Sequence, residues 1–185
     1  MARGKAISDD LVLENARRAI LARGEAAFTL ADIGKAVGLS AATLIQRFGD
    51  KPGLVKAMLA GETARFAAAL RALPERTGPA AVIALFMLLT EEPSTPGGLP
   101  GEAFWQQLDL EDPDLRRLAM ERAIRLRRAV AERLPPLPIA PDEAAALVEA
   151  QWRGAVLQWR LQRRGRLADH VTAALADWFA LVLRR

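Results

Sequence analysis

Residues 28–51 read FTLADIGKAVGLSAATLIQRFGDK, and the break Val37-Gly38-Leu39-Ser40 within them constrains the fold more than any other stretch. Two short helical patterns, each about two turns long, flank that break. Thr29 opens the first, and Asp32 three residues on completes the spacing of a capping box. Ile33 and Val37 form its inward face, with Gly34 placed where a neighbouring helix must approach closely. Gly38 supplies a turn conformation that a residue with a β-carbon adopts reluctantly. Ser40 caps the second pattern, whose inward residues are Leu44 and Phe48. A preceding helix is predicted over 9–23, capped by Ser8, with Asp9 and Asp10 in its positive first turn and Gly24 at its end. Together with Ile20, Phe28 and Leu39, these residues make a small three-helix core. The second short helix then has the placement of one that lies in a DNA major groove.

From about residue 52 the pattern changes to long helices rich in Ala, Leu, Arg and Trp. Asp50 caps a helix with an apolar stripe at Leu54, Met58 and Leu70, running to about 73. Pro74 and Thr77-Gly78-Pro79 interrupt it. Residues 80–90 are apolar on nearly all sides and read as a central helix. A loop follows at 93–98, then a short amphipathic helix at 101–108 bearing Phe104 and Trp105. Asp112-Pro113 opens a long helix to about 134, a cap followed by a first-turn proline. Asp142 and Glu143 open another, which reaches 164 before Gly165, and 167–183 is the last. No strand pattern or internal repeat is present. The expected fold is all-α: an N-terminal three-helix domain with a helix-turn-helix over 1–52, joined to a larger helical domain over 53–185.

Composition narrows the function classes. The chain has 185 residues and 51% apolar content, enough for a sizeable core and too much for a disordered chain. Zero cysteines exclude a disulfide framework, a thiolate metal site and a cysteine nucleophile. The longest apolar run, 80–89, is far short of the roughly 18–20 residues that span a bilayer. No signal peptide is apparent, so a soluble cytoplasmic protein without a membrane partner is expected. The net charge of +4 permits nucleic-acid binding and carries little weight alone. His170 is the one histidine and stands beside Asp169 at a helix start, where a solvated or capping role is the simpler reading. No nucleophile–base constellation, metal-ligand spacing or glycine-rich phosphate loop appears. The sequence therefore predicts no enzyme, no cofactor, no metal and no catalytic residue.

The chemistry points to DNA. The second short helix leaves Ala41, Ala42, Thr43, Ile45, Gln46 and Arg47 off its inward face. Small residues at its start let the backbone approach the groove floor. Gln46 can pair bidentately with an adenine edge, and Arg47 can reach a guanine or a phosphate. Thr43 and Ile45 offer methyl groups to thymine. Thr29, Ser40 and Lys51 stand at helix starts, where hydroxyls, free N–H groups and an ammonium can hold phosphates. The competing reading is a helical hairpin whose exposed face is merely solvated.

Over about 9–56 the chain resembles the DNA-binding domain of the tetracycline-repressor (TetR) family of bacterial regulators. The matching residues are Phe28-Thr29, Asp32-Ile33, Val37-Gly38-Leu39-Ser40, Thr43-Leu44, Phe48 and Asp50-Lys51-Pro52-Gly53-Leu54. Two positions depart from the family pattern. Ile45 stands where a phosphate-binding tyrosine is usual, and Arg47 where histidine is frequent; this chain has no tyrosine.

The resemblance implies a ligand-responsive homodimer on a palindromic double-stranded operator, with the last two helices forming a four-helix interface with their mates. One reading helix touches few base pairs, and two half-sites about 34–36 Å apart resolve that. Val148, Ala155 and Trp159 on the penultimate helix, and Leu175, Trp178, Leu181 and Val182 on the last, are the interface candidates; an intrachain core accounts for them equally well. A pocket for an apolar or aromatic small molecule would draw on Phe86, Met87, Phe104, Trp105, Gln107, Met120, Trp152 and Gln158, although ordinary core packing explains each one singly. By resemblance, ligand binding would swing the helix after the reader, change the spacing of the two heads and release a repressor. The loop at 93–101 would gate entry. The alternative is a helical protein-interaction module with weak or lost DNA binding.

Overall fold

A computed structural model describes residues 7–24, 26–90, 104, 108 and 111–183. Among these residues the chain is helical, with no strand. Helix α1 spans Asp9–Arg23, α2 Leu30–Val37, α3 Ala41–Phe48, α4 Lys51–Ala72, α5 Pro79–Met87, α6 Pro113–Ala131, α7 Pro141–Gln162 and α8 Leu167–Val182. The apolar segment at 80–90 forms a shorter helix than its sequence suggests, because the backbone leaves α5 in turns from Leu88 to Thr90. The short helix expected at 101–108 lies almost wholly outside the described residues; its Phe104 and Leu108 are buried.

The first four helices begin on side-chain caps. Ser8 accepts from the Leu11 N–H, Thr29 from Asp32, Ser40 from Thr43 and Asp50 from Gly53. Each cap satisfies one of the amide donors that a helix start leaves unpaired. In α2 the box is complete: the Thr29 N–H donates to Asp32 Oδ2 at 2.9 Å, and the Asp32 N–H returns to Thr29 Oγ1 at 3.2 Å.

Two cores result. Val12, Ala16, Ile20, Phe28, Ile33 and Leu44 form the first, with Leu54, Val55, Met58 and Leu59 from the first half of α4. Leu115 and Leu118 from α6 join them. Phe66, from the second half of α4, belongs to the other core, with Phe86, Leu126, Val130, Val148, Trp152, Leu175 and Phe179. The α4 helix, about 33 Å long at 1.5 Å per residue, is thus shared between a small head and a larger body. The expected domain division after residue 52 falls in its first turn.

Charged groups are buried near that junction. Glu62 is 1% exposed and pairs with Arg65, and Arg122 lies over the Phe66 ring at 4.7 Å. Burial pushes the Glu62 carboxyl above the usual carboxylate range, against the opposing effects of Arg65 and Arg17. Among the described residues, no helix is long and apolar enough to cross a membrane.

Candidate nucleic-acid interface

The angle between α2 and α3 is set by glycine. Gly38 ends α2 in the left-handed region at φ 74°, and its N–H donates to the Gly34 carbonyl. A β-carbon on Gly34 would stand 2.5 Å from the Leu39 carbonyl oxygen, so the backbone of the turn itself occupies the space a side chain would need. The close approach predicted at Gly34 is therefore made by the turn rather than by another helix. At the next junction a β-carbon on Gly53 would meet the Phe48 carbonyl oxygen at 2.0 Å.

These junctions hold α3 on the head by its Leu44 face, which is fully buried. The opposite side is open. Ala42, Ile45, Gln46 and Arg47 are exposed, while Ala41 and Thr43 are half-buried. The Ser40 hydroxyl lies 2.8 Å from the Thr43 hydroxyl and also accepts the Thr43 N–H. The Thr29 hydroxyl donates to Asp32 Oδ2 at 2.8 Å, and with the Thr29 N–H it holds the Asp32 carboxyl below its usual range. Hence Thr29, Ser40 and Thr43 are built into caps, and the amides that remain at these helix starts are what a phosphate would meet.

The two cations are engaged within the chain. Arg47 Nη1 donates to the Ile7 carbonyl at 2.9 Å and to Asp9 at 3.3 Å, tying α3 to the start of α1. Lys51 Nζ donates to the Ala26 carbonyl at 3.2 Å and sits 4.5 Å from the centre of the Phe28 ring. Gln46 is free to point outward, and Ile45 is 53% exposed. The open surface of α3 is accordingly an amide, an aliphatic side chain and small residues, with Arg47 and Lys51 at its edges.

The pocket candidates do not form one surface. Phe86 and Trp152 are fully buried and stack with ring centroids 4.8 Å apart. The Trp152 indole N–H donates to the Thr90 hydroxyl at 3.2 Å, completing a packed polar contact inside the body. Phe104 is buried in the head core, Met87 is half-buried and accepts from the Thr172 hydroxyl, and Met120 and Gln158 face outward. Trp105, Gln107 and the loop at 93–101 lie outside the described residues.

The interface candidates divide likewise. Val148, Ala155 and Leu175 are buried in the body's own core and present almost no surface. Trp159 donates to the Gly165 carbonyl, while Trp178 and Val182 are half-buried against the core. Leu181 is 66% exposed. Leu147, Ala150, Leu157 and Leu161, which are not among the interface candidates from the sequence, form an exposed strip along the other side of α7, with Gly154 half-buried between them. Their three- and four-residue spacing is a seam pattern, but Val148, Trp152 and Ala155 on the core side of α7 keep the same spacing, so the sequence alone does not single the strip out.

Comparison with known proteins points the same way for the N-terminal segment. Residues 12–58 match the family described as bacterial regulatory proteins, tetR family. No curated protein matches the chain in sequence. Among solved structures, a Rhodococcus sp. protein described as a TetR-family transcriptional regulator superposes with a TM-score of 0.75 at 18% identity, covering 95% of this chain and 98% of its own. A transcriptional regulator from Saccharomonospora viridis, solved in complex with choline, gives 0.73 at 23% identity over 95% and 97%. Reduced NemR from E. coli gives 0.72 at 18% identity over 91% and 95%. Residues 12–58 are therefore similar to the tetR family of bacterial regulatory proteins, and the chain as a whole takes the all-helical fold seen in the TetR-family regulators it superposes on.

Proposed function

We propose that the chain is a homodimeric, ligand-responsive transcription regulator, most simply a repressor, with a DNA-binding domain over 1–52 and a sensing and dimerising body over 53–185. One observation carries the DNA reading: α3 is anchored by Leu44 while Ala42, Ile45 and Gln46 remain open on its far side. A short helix held this way fits a major groove, with Gln46 addressing an adenine and Ile45 a thymine methyl. Thr29, Ser40 and Lys51 then act as positioning elements, chiefly through helix-start amides.

The second copy is proposed to cover the α7 strip. Leu147, Leu157 and Leu161 are 50, 53 and 80% exposed, and Ala150 and Gly154 between them allow close helix crossing. Leu181 extends the surface onto α8. A small-molecule effector is supported by the choline-bound relative of the same fold, and by helices α4 and α6, each of which contributes to both the head core and the body core. In a repressor the effector must favour the non-binding state by several kcal/mol.

Selection of bound sequences from random DNA tests the reading. A site with two-fold symmetry is expected, with binding that weakens steeply in salt. Gln46→Ala should relax one base position at a cost of about 1–3 kcal/mol. Failure to enrich any duplex overturns the regulator reading. One observation favours the helical interaction module instead: both cations of the reading surface, Arg47 and Lys51, already serve intrachain carbonyls. An apolar protein partner captured on Ile45, with no duplex bound, would establish that second reading.

A further inference from the structure

A groove of about 780 Å³ opens between the C-terminal end of α4, the connection to α5 and the second half of α6. Its apolar lining includes Leu70, Leu73 and Ala129. Five arginines line it against two glutamates, Glu75 and Glu132. Arg128 is neutralised by Glu132, and Arg133 is buried with a bond to the Ala129 carbonyl. Arg71, Arg76 and Arg125 come from three separate segments, are exposed, and have no carboxylate partner among the described residues.

Several arginines on the same or neighbouring helices do find a carboxylate nearby. Arg17 pairs with Glu14, Arg65 with Glu62, Arg117 with Glu121 and Arg153 with Glu149, each within one helical turn. Glu121 lies one turn before Arg125 but is engaged by Arg117. Three like charges around one concavity repel each other, and an anion seated among them would relieve that repulsion and accept charge-assisted hydrogen bonds. A groove of this size is in the range of small-molecule sites. Its apolar lining would be wasted on a bare ion. The operator-reading surface is elsewhere, since Lys51 and Leu70 are separated by about 28 Å along α4 at 1.5 Å per residue.

We propose that this groove binds a small amphiphile whose anionic head, a carboxylate or a phosphate monoester, is held by Arg71, Arg76 and Arg125 while its apolar part lies against Leu70, Leu73 and Ala129. The site is separate from the interior pocket candidates. It is also independent of the DNA reading, because its test needs no operator.

Calorimetric titration of the full chain with octyl phosphate and octanoate, each below its micelle concentration, tests it. Saturable binding of one anionic amphiphile per chain is expected. The stronger of the two identifies the head group. Arg71→Gln and Arg125→Gln should each weaken binding about tenfold, whereas Arg117→Gln on the same helix but outside the groove should leave it unchanged. Circular dichroism of the variants checks that the fold is retained, as exposed arginines lead one to expect. Octanol binding as tightly as octyl phosphate would remove the role of the arginines. Inorganic phosphate binding as tightly would remove the role of the apolar lining. Either result, an absence of saturable binding, or an equal loss in Arg117→Gln overturns the proposal.

Discussion

The head and the body start their helices by different means. α1, α2, α3 and α4 all begin on a side-chain cap, from Ser8, Thr29, Ser40 and Asp50. Among the described residues of the body, α5, α7 and α8 begin at Gly78, Ala140 and Arg166 with no side-chain cap bond, and only α6 has one, from Asp112. A cap contributes about 1 kcal/mol, a large share of the stability of a head whose helices α2 and α3 have only eight residues each. The body instead has Trp152, Phe86, Phe66 and Phe179 buried together. Local chemistry defines where the head's helices begin; in the body, packing does so.

The sharpest way to break that contrast is Trp152→Ala. It removes the stack on Phe86 and the bond to Thr90, and should cost about 3–5 kcal/mol, read as a fall in the denaturation midpoint by circular dichroism. A loss below 1 kcal/mol would mean that packing does not dominate the body. Gly53→Ala comes next. Its β-carbon collides with backbone at Phe48, and about 1–3 kcal/mol of strain is expected, seen as weakened DNA binding while body signals in the NMR spectrum keep their positions. Smaller are two changes of opposite sign. Thr29→Ala should destabilise by about 1 kcal/mol, and Ala140→Asp, which places a cap before Pro141, should stabilise by about 0.5–1 kcal/mol in urea unfolding. No gain from Ala140→Asp would show that the start of α7 is already fully determined by its contacts.

The smallest effect concerns Glu62, where head and body meet. Its folded-state pKa is raised by burial, so the native chain holds this proton more tightly than the unfolded one. Stability from this group is therefore lost as pH rises from the ordinary glutamate range through the raised value. Glu62→Gln should be the more stable form at neutral pH and should flatten the pH dependence in that window. An unchanged slope would assign the dependence to another group. The lowered carboxyls of Asp32, Glu14 and Asp114 act in the opposite sense, and their contribution is lost as pH falls through their folded values.

The same contrast explains what could be read from the residues. Thr29 with Asp32, Gly38 and Ser40 announced the head because caps and turns are short-range chemistry. Ile33, Val37 and Leu44 followed from their period. In α7 the period was uninformative, since apolar side chains occur on both of its sides. Val148 and Ala155 face the body's core while Leu147, Leu157 and Leu161 face out, and only the position of α6 and α8 decides which. The engagement of Arg47 by Asp9 and Ile7, and of Lys51 by Ala26, joins residues 25–40 positions apart, a separation that no local pattern encodes. Gly53 was noted in sequence only as part of a family motif, and its need for an absent β-carbon became visible through the Phe48 carbonyl.

Because α4 contributes Leu54 through Leu59 to one core and Phe66 to the other, its backbone amides belong to two cooperative units. In hydrogen exchange a helix this long would ordinarily display a single plateau with frayed ends. Here the amides before Glu62 should report the opening free energy of the head and those after it that of the body. The step between the two protection levels, located along one unbroken helix, would measure how strongly the two units are coupled.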